Sequence, residues 1–404
     1  MRHTLFALTL LASSASAQFT LHDAHTTADL RGIDNVGGGV AWASGTDGTI
    51  LRTEDAGFIW QLCAKPPNGE HLDFRAIQAF DNNTAIIMSS GKGDQSRLYK
   101  TTDGCQHWTL LFTNPDKDGL WDALQFERKF EPPTNRVAHP STQSKGGVSR
   151  VKTRESDHKL GMLLGDPVKN SFALFVTNDG GAHWTKQRNR GLEASPSLQG
   201  AFAASNTSMY MRNGFVAFAS GGTAGAALYR LTETTICLDD CSASEMNADG
   251  RENKWIRVEV PIGDHTESSG IFSMNARDKM EHSSFGDSIF IAVGGDYTRP
   301  SDKTHTAAYS LDGGKTWIAA TTPPHGYRSA VAYDSKTKTW ITIGPNGTDI
   351  STDDGRNWHP LKPDPAFNDT PDADQHWNAL SLPYAVGPHG RIATLRPSAL
   401  TSSK

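Results

Sequence analysis

Five segments of the chain share one pattern: a hydroxyl residue, any residue, Asp, any residue, a small residue, two further residues and Trp. They run from Thr53 to Trp60, Thr101 to Trp108, Thr177 to Trp184, Ser310 to Trp317 and Ser351 to Trp358. The repeated acids are Asp55, Asp103, Asp179, Asp312 and Asp353, and five of the ten Trp close the motif. Turn chemistry accounts for the pattern. Gly supplies the positive φ of a tight hairpin turn at little cost. Asp at the turn entrance accepts hydrogen bonds from the turn's own N–H groups. Trp just beyond it packs inward and offers its N–H to a nearby acceptor. The repeated acids are therefore read as structural. An apolar strand precedes each motif, as at Phe172–Val176, and a short one follows, as at Thr109–Phe112.

The interval between Asp179 and Asp312 has room for two units, and a worn copy fits there at Ala227–Leu231 and Lys254–Val258. Earlier in each unit a second recurrence leads into an apolar strand: LRGI at Leu30, FRAI at Phe74, LWDAL at Leu120, LQGAF at Leu198, SGIF at Ser269, YRSAV at Tyr327 and HWNAL at His376. A repeating unit of roughly 40–50 residues with several short strands is a β-propeller blade. The fold expected is all-β, a seven-bladed propeller. The last unit lacks the motif and its final strand, so Phe19–His22 is expected to complete it and close the ring, hiding strand edges that would otherwise invite aggregation. A chain of 404 residues could also make two domains. The repeats select one closed ring over residues 18–404.

Residues 1–17 read as a secretory signal: basic Arg2, an apolar stretch from Leu5 to Ala12, and Ala15-Ser16-Ala17 as the cleavage site. A secreted or periplasmic location is expected. The four cysteines, Cys63, Cys105, Cys237 and Cys241, then suggest disulfides. Cys237 and Cys241 are close enough to close a short loop, leaving Cys63 with Cys105; their spacing is not that of a zinc site. A net charge of -5 argues against nucleic acid. No apolar run is long enough to span a membrane. Residues 127–159 form a polar insertion in blade 3 with eight Lys or Arg against four Asp or Glu, and 232–253 an insertion in blade 4. The basic segment is either a solvated excursion or an arm for an acidic partner.

The motif resembles the Asp-box, or bacterial neuraminidase repeat. With LDFRAI, SGKGDQSRLYKTTDG, GLWDAL, LLGDPV and FVTNDGGAHW, the sequence resembles the photosystem II stability and assembly factor-like propellers, most densely from Asp47 to Trp184. That resemblance implies a non-enzymatic, exported, seven-bladed scaffold that binds other proteins; a monomer without cofactors is expected. The insertion at 127–159 and the worn fourth blade depart from the compact members.

Ligands of propellers meet the central funnel, where inner-strand ends converge. Arg75, Trp121, Asp122, Asp166, Tyr297, Arg328 and Trp377 are the candidate binding residues. Arginine grips carboxylates bidentately, and Trp and Tyr supply rigid contact area. A glycan-active hydrolase is the alternative, drawing its carboxylates from Asp122, Asp166 and Asp296. A sialidase would need Phe-Arg-Ile-Pro, whereas the chain has Phe74-Arg75-Ala76-Ile77. The run Asn114, Asp116, Asp118, Gly119 suggests calcium, but Gln125 stands where a bidentate Glu is required, so no metal is expected. No phosphate-cradling Gly motif is present, which leaves an oxidoreductase without a cofactor site.

Overall fold

The computed structural model describes residues 18–127, 159–187, 191–195, 197–212, 214–231, 254–279, 288–365 and 369–401. The signal segment, Cys237, Cys241 and nearly all of both insertions lie outside these residues. The described chain folds into seven four-stranded antiparallel sheets. Six follow chain order, beginning with Leu30–Gly37, Phe74–Ala79, Trp121–Phe126, Met209–Arg212, Ser269–Arg277 and Ala330–Asp334. These first strands pack against one another around a central axis, and Ala379–Ser381 of the seventh sheet completes the circle beside Leu30–Gly37. The molecule is a seven-bladed β-propeller.

Ring closure follows the sequence expectation. Phe19–His22 pairs antiparallel with Ile392–Leu395 as the outermost strand of the last blade. Phe19 is buried, its ring 5.1 Å from that of Trp377.

The five repeated turns share one hydrogen-bond pattern. In the first, the Thr53 hydroxyl donates to Asp55 Oδ1 at 2.8 Å, and the same oxygen accepts the Ile59 N–H at 2.9 Å. The Thr53 hydroxyl oxygen accepts the Gly57 N–H. Equivalent bonds recur at Asp103, Asp179, Asp312 and Asp353. Two consecutive residues take positive φ in each turn, for instance Gly180 at 75° and Gly181 at 92°. Such stabilised carboxylates lose protons easily: a histidine bond and backbone N–H groups hold Asp103 at about 2. Trp60, Trp108 and Trp358 are buried, whereas Trp184 and Trp317 pack half-buried against the blades. The Trp108, Trp184 and Trp358 N–H groups find carbonyl acceptors, but those of Trp60 and Trp317 do not.

Cys63 and Cys105 form a disulfide between blades 1 and 2. The acidic run at 114–119 is tied down by cations, Lys92 meeting Asp118 at 2.9 Å and Lys186 meeting Asp116.

One expected strand start is displaced. LQGAF at Leu198 is not the inner strand of blade 4, which begins at Met209. Gly200 makes only an isolated bridge with Gly221, which in turn bridges Gly270. This segment lies over the mouth of the ring instead.

Candidate functional site in the central funnel

Strand irregularities build the funnel. In blades 1, 2 and 3 the first strand carries a register shift at its second residue, between Leu30 and Gly32, Phe74 and Ala76, and Trp121 and Ala123. A bulge re-aims the extra side chain. Here the displaced residues are Arg31, Arg75 and Asp122, and all three border a central cavity of about 490 Å³. Blade 5 has the same shift two residues later than its SGIF copy suggests, between Ile271 and Ser273, so Phe272 is its counterpart. A second shift in blade 3, between Gly165 and Pro167, brings Asp166 to the same cavity.

Of the seven candidate residues, Arg75, Asp122, Asp166, Tyr297 and Trp377 line the cavity. Trp121 and Arg328 do not, and both are fully buried. Trp121 points into the blade, stacked on Phe112 with ring centroids 5.3 Å apart. Arg328 is consumed internally. Its guanidinium grips Asp349, with Nε at 2.8 Å from Oδ2, and donates to the Tyr327 carbonyl and Asn346 Oδ1. Against the desolvation of burial, the His325 hydrogen bond and then the charge of that arginine hold the Asp349 carboxyl below the usual range. Asp296 is likewise occupied, bound by Ser268 and Thr298 hydroxyls at 2.7 Å and by Arg299 at 3.1 Å. Those bonds hold it well below the carboxylate range, and it does not line the cavity.

The cavity has a cationic side and an acidic side. Arg75 donates to Asp73 at 2.8 Å and to the Ala203 carbonyl at 3.0 Å. Arg31 makes looser ion pairs, 3.6 Å to Asp29 and 3.8 Å to Asp73, and its buried Nε has no hydrogen-bond partner. Arg31 was legible in the LRGI copy, whose second residue matches that of FRAI. On the adjacent blade 3, Asp122 is 2% exposed and its Oδ2 has no partner. Burial, reinforced by the charge of Asp166, holds Asp122 well above the carboxylate range, with Arg75 pulling the other way. Burial pushes Asp166 up to about 6, although its Oδ1 accepts the Ala201 N–H at 3.0 Å.

An aromatic wall completes the funnel. Phe202 stacks on Phe272 with centroids 4.0 Å apart, and Tyr327 and Tyr297 meet the Phe272 ring edge-on. Gly221 and Gly270 permit this: a Cβ on either would fall within 2.7 Å of the Phe202 ring and of the other's Cα. Tyr297 remains 52% exposed. Trp377 is buried beneath the cavity floor, its N–H on the Ala373 carbonyl. No group of three or more metal-ligating side chains occurs among the described residues.

No family model matches the chain, and no curated protein matches it. Solved structures do. YCF48 from Cyanidioschyzon merolae aligns at a TM-score of 0.54 with 14% identity, covering 95% of this chain and 100% of that one. In fold, the chain is a YCF48-like propeller. A structure described as YCF48 bound to D1 peptide aligns at 0.52, again 14% identical, over 94% of this chain and 97% of the other. A GH74 xyloglucanase from Xanthomonas campestris aligns at 0.33 with 14% identity, over 80% of this chain and 47% of its own.

Proposed function

We propose that this propeller is a binding scaffold that receives a polypeptide segment in its central funnel. The observation that carries the reading is the pair of bulged arginines, with Arg31 left short of acceptors at the cavity rim. A guanidinium with unused donors recognises a carboxylate, from a side chain or a chain terminus. The neighbouring aromatic rings offer rigid apolar contact for the rest of a peptide. The YCF48 structure bound to a D1 peptide supports a protein partner for this fold. The segment 1–17 and the Cys63–Cys105 disulfide fit export to an oxidising compartment. The partner of this chain is a separate matter from that of YCF48.

Asp122 and Asp166 give a second reading its one supporting observation, since raised carboxyl groups in a cleft suit general acid catalysis. Their placement favours it less. Both come from adjacent strands of blade 3, on one wall, whereas glycoside hydrolysis needs carboxyls on either side of the bond.

Arg31→Ala combined with Arg75→Ala is expected to weaken capture of a native partner by at least about tenfold, equivalent to ~1.4 kcal/mol. The melting temperature should hardly change, because both side chains lie at the cavity rim. The check is affinity chromatography from the native extracellular or periplasmic fraction, followed by titration with the purified partner. Undiminished affinity in the double variant would contradict the assignment. Hydrolysis of a glycan panel by the wild type and not by Asp122→Asn would favour the second reading.

A further inference from the structure

Peptide binding through the arginines leaves the acidic side of the funnel without a role. Asp122 is the key group. It is buried, it borders the cavity, and its Oδ2 is unpartnered. Native structures rarely leave such an acceptor unmet, so a missing partner is the natural explanation.

The charged and titratable groups around it narrow the choice. Arg75 faces it from blade 2, with its Nε on Asp73 and one Nη on the Ala203 carbonyl, and makes no hydrogen bond to Asp122. Arg31 of blade 1 is held near Asp29 and Asp73. Tyr297 and Tyr327 face the cavity from the segments after the second strand of blade 5 and before the first strand of blade 6, and neither contributes a positive charge. Asp166, on the neighbouring strand, adds a second carboxyl.

Asp166 also borders a second space. A groove of about 540 Å³ shares Asp166, Ala201 and Phe202 with the funnel and continues past Asp118 and Glu267. No Lys or Arg lines it among the described residues; Lys92 meets Asp118 from outside the lining. The two spaces thus meet at Asp166 and Phe202. Arginines stand over blades 1 and 2, carboxyls over the adjacent blade 3, and aromatic rings line the rest of the funnel.

We propose that Asp122 and Asp166 receive the ammonium group of a lysine in the bound polypeptide, with its aliphatic stem against Phe202 and Tyr297. This rests on the reading of the funnel as a peptide-binding site. It gives the ligand a polarity, an acid over blades 1 and 2 and a lysine over blade 3. An ammonium suits the site chemically. It carries three donors on a compact charge, so it can reach both carboxyls, while the stem packs on apolar surface. The ligand's charge takes the place of the proton that burial otherwise keeps on the pair, and that proton passes to solvent. Affinity should therefore fall as pH drops through about 6, where Asp166 becomes protonated.

A synthetic library of short N-acetylated peptides, screened against wild type and Asp122→Asn, tests this. The acetyl cap removes chain amines, so selected cations are side chains. Wild type should select peptides with Lys at a fixed spacing from an acid, and Asp122→Asn should keep the acid and lose the Lys. Replacing that Lys by norleucine should weaken wild-type binding at least about tenfold near pH 7.5 and far less near pH 5. Lysine-independent selection overturns the ammonium site and leaves the scaffold reading standing. Selection of Lys that persists in both Asp122→Asn and Asp166→Asn, each checked for a cooperative melt, also overturns it. Failure of wild type to select any peptide overturns the scaffold reading, and the ammonium site with it.

Discussion

At the scale of single residues, Asp166 bears a cost that reports on its environment. Its folded-state proton affinity is raised to about 6, above the ordinary value of 3.8. A raised carboxyl favours the folded state least when ionised. The penalty is absent below about pH 4, grows as pH rises, and is complete above about pH 6. Asp166→Asn keeps an oxygen to accept the Ala201 N–H but removes the charge. It is expected to stabilise the protein by on the order of 2 kcal/mol near pH 7.5, discounted for partial exposure, and to be neutral near pH 4. Thermal melts of both proteins at the two pH values check this; an equal or lower melting temperature for the variant near pH 7.5 would contradict it. The same scale shows what residue patterns conceal. Trp121 and Asp122 are consecutive, as are Arg328 and Ser329. Asp122 and Ser329 border the cavity, whereas Trp121 and Arg328 are fully buried away from it. The chemistry of a side chain does not say which face it takes, and alternation is itself interrupted by the bulges at Arg31, Arg75 and Asp122.

At the scale of elements, the repeated turns were the most legible feature because each is a local solution. A hydroxyl, an Asp and two positive-φ residues satisfy one another within a few positions, and no distant contact is needed. Elements defined by packing were less legible. LQGAF has the composition of an inner strand, yet close backbone approach at Gly200, Gly221 and Gly270 makes it a cover that places Phe202 over the funnel. The closing strand was legible for a different reason: the last unit was short of one strand and Phe19–His22 had no blade of its own. Its anchor is Phe19 on Trp377. Phe19→Ala should cost about 3–5 kcal/mol, as for other buried aromatic truncations, and should expose the edge at Ile392–Leu395. Denaturant unfolding with light scattering checks both effects. Unchanged stability would mean that the ring holds without this closure. The disulfide adds a second tie, between blades 1 and 2.

At the scale of the whole molecule, seven blades place seven strand starts around one axis. Residues from distant parts of the sequence, from Arg31 to Asn378, meet in a single cavity. The net charge of -5 hides how charge is arranged there, with arginines over blades 1 and 2 and carboxyls over blade 3. Such a split field selects an oriented, dipolar ligand over a uniformly charged one. The central claim is that this funnel is where a polypeptide binds. A photo-reactive benzoylphenylalanine at Tyr297, which is exposed at the rim, tests it most directly, with the same group at the outer-strand residue Leu62 as a control. On illumination in the native fraction, the Tyr297 probe should form a discrete covalent adduct with one protein, and Arg31→Ala with Arg75→Ala should abolish it. Adducts that form equally from Leu62, or that persist in the double variant, would contradict the account.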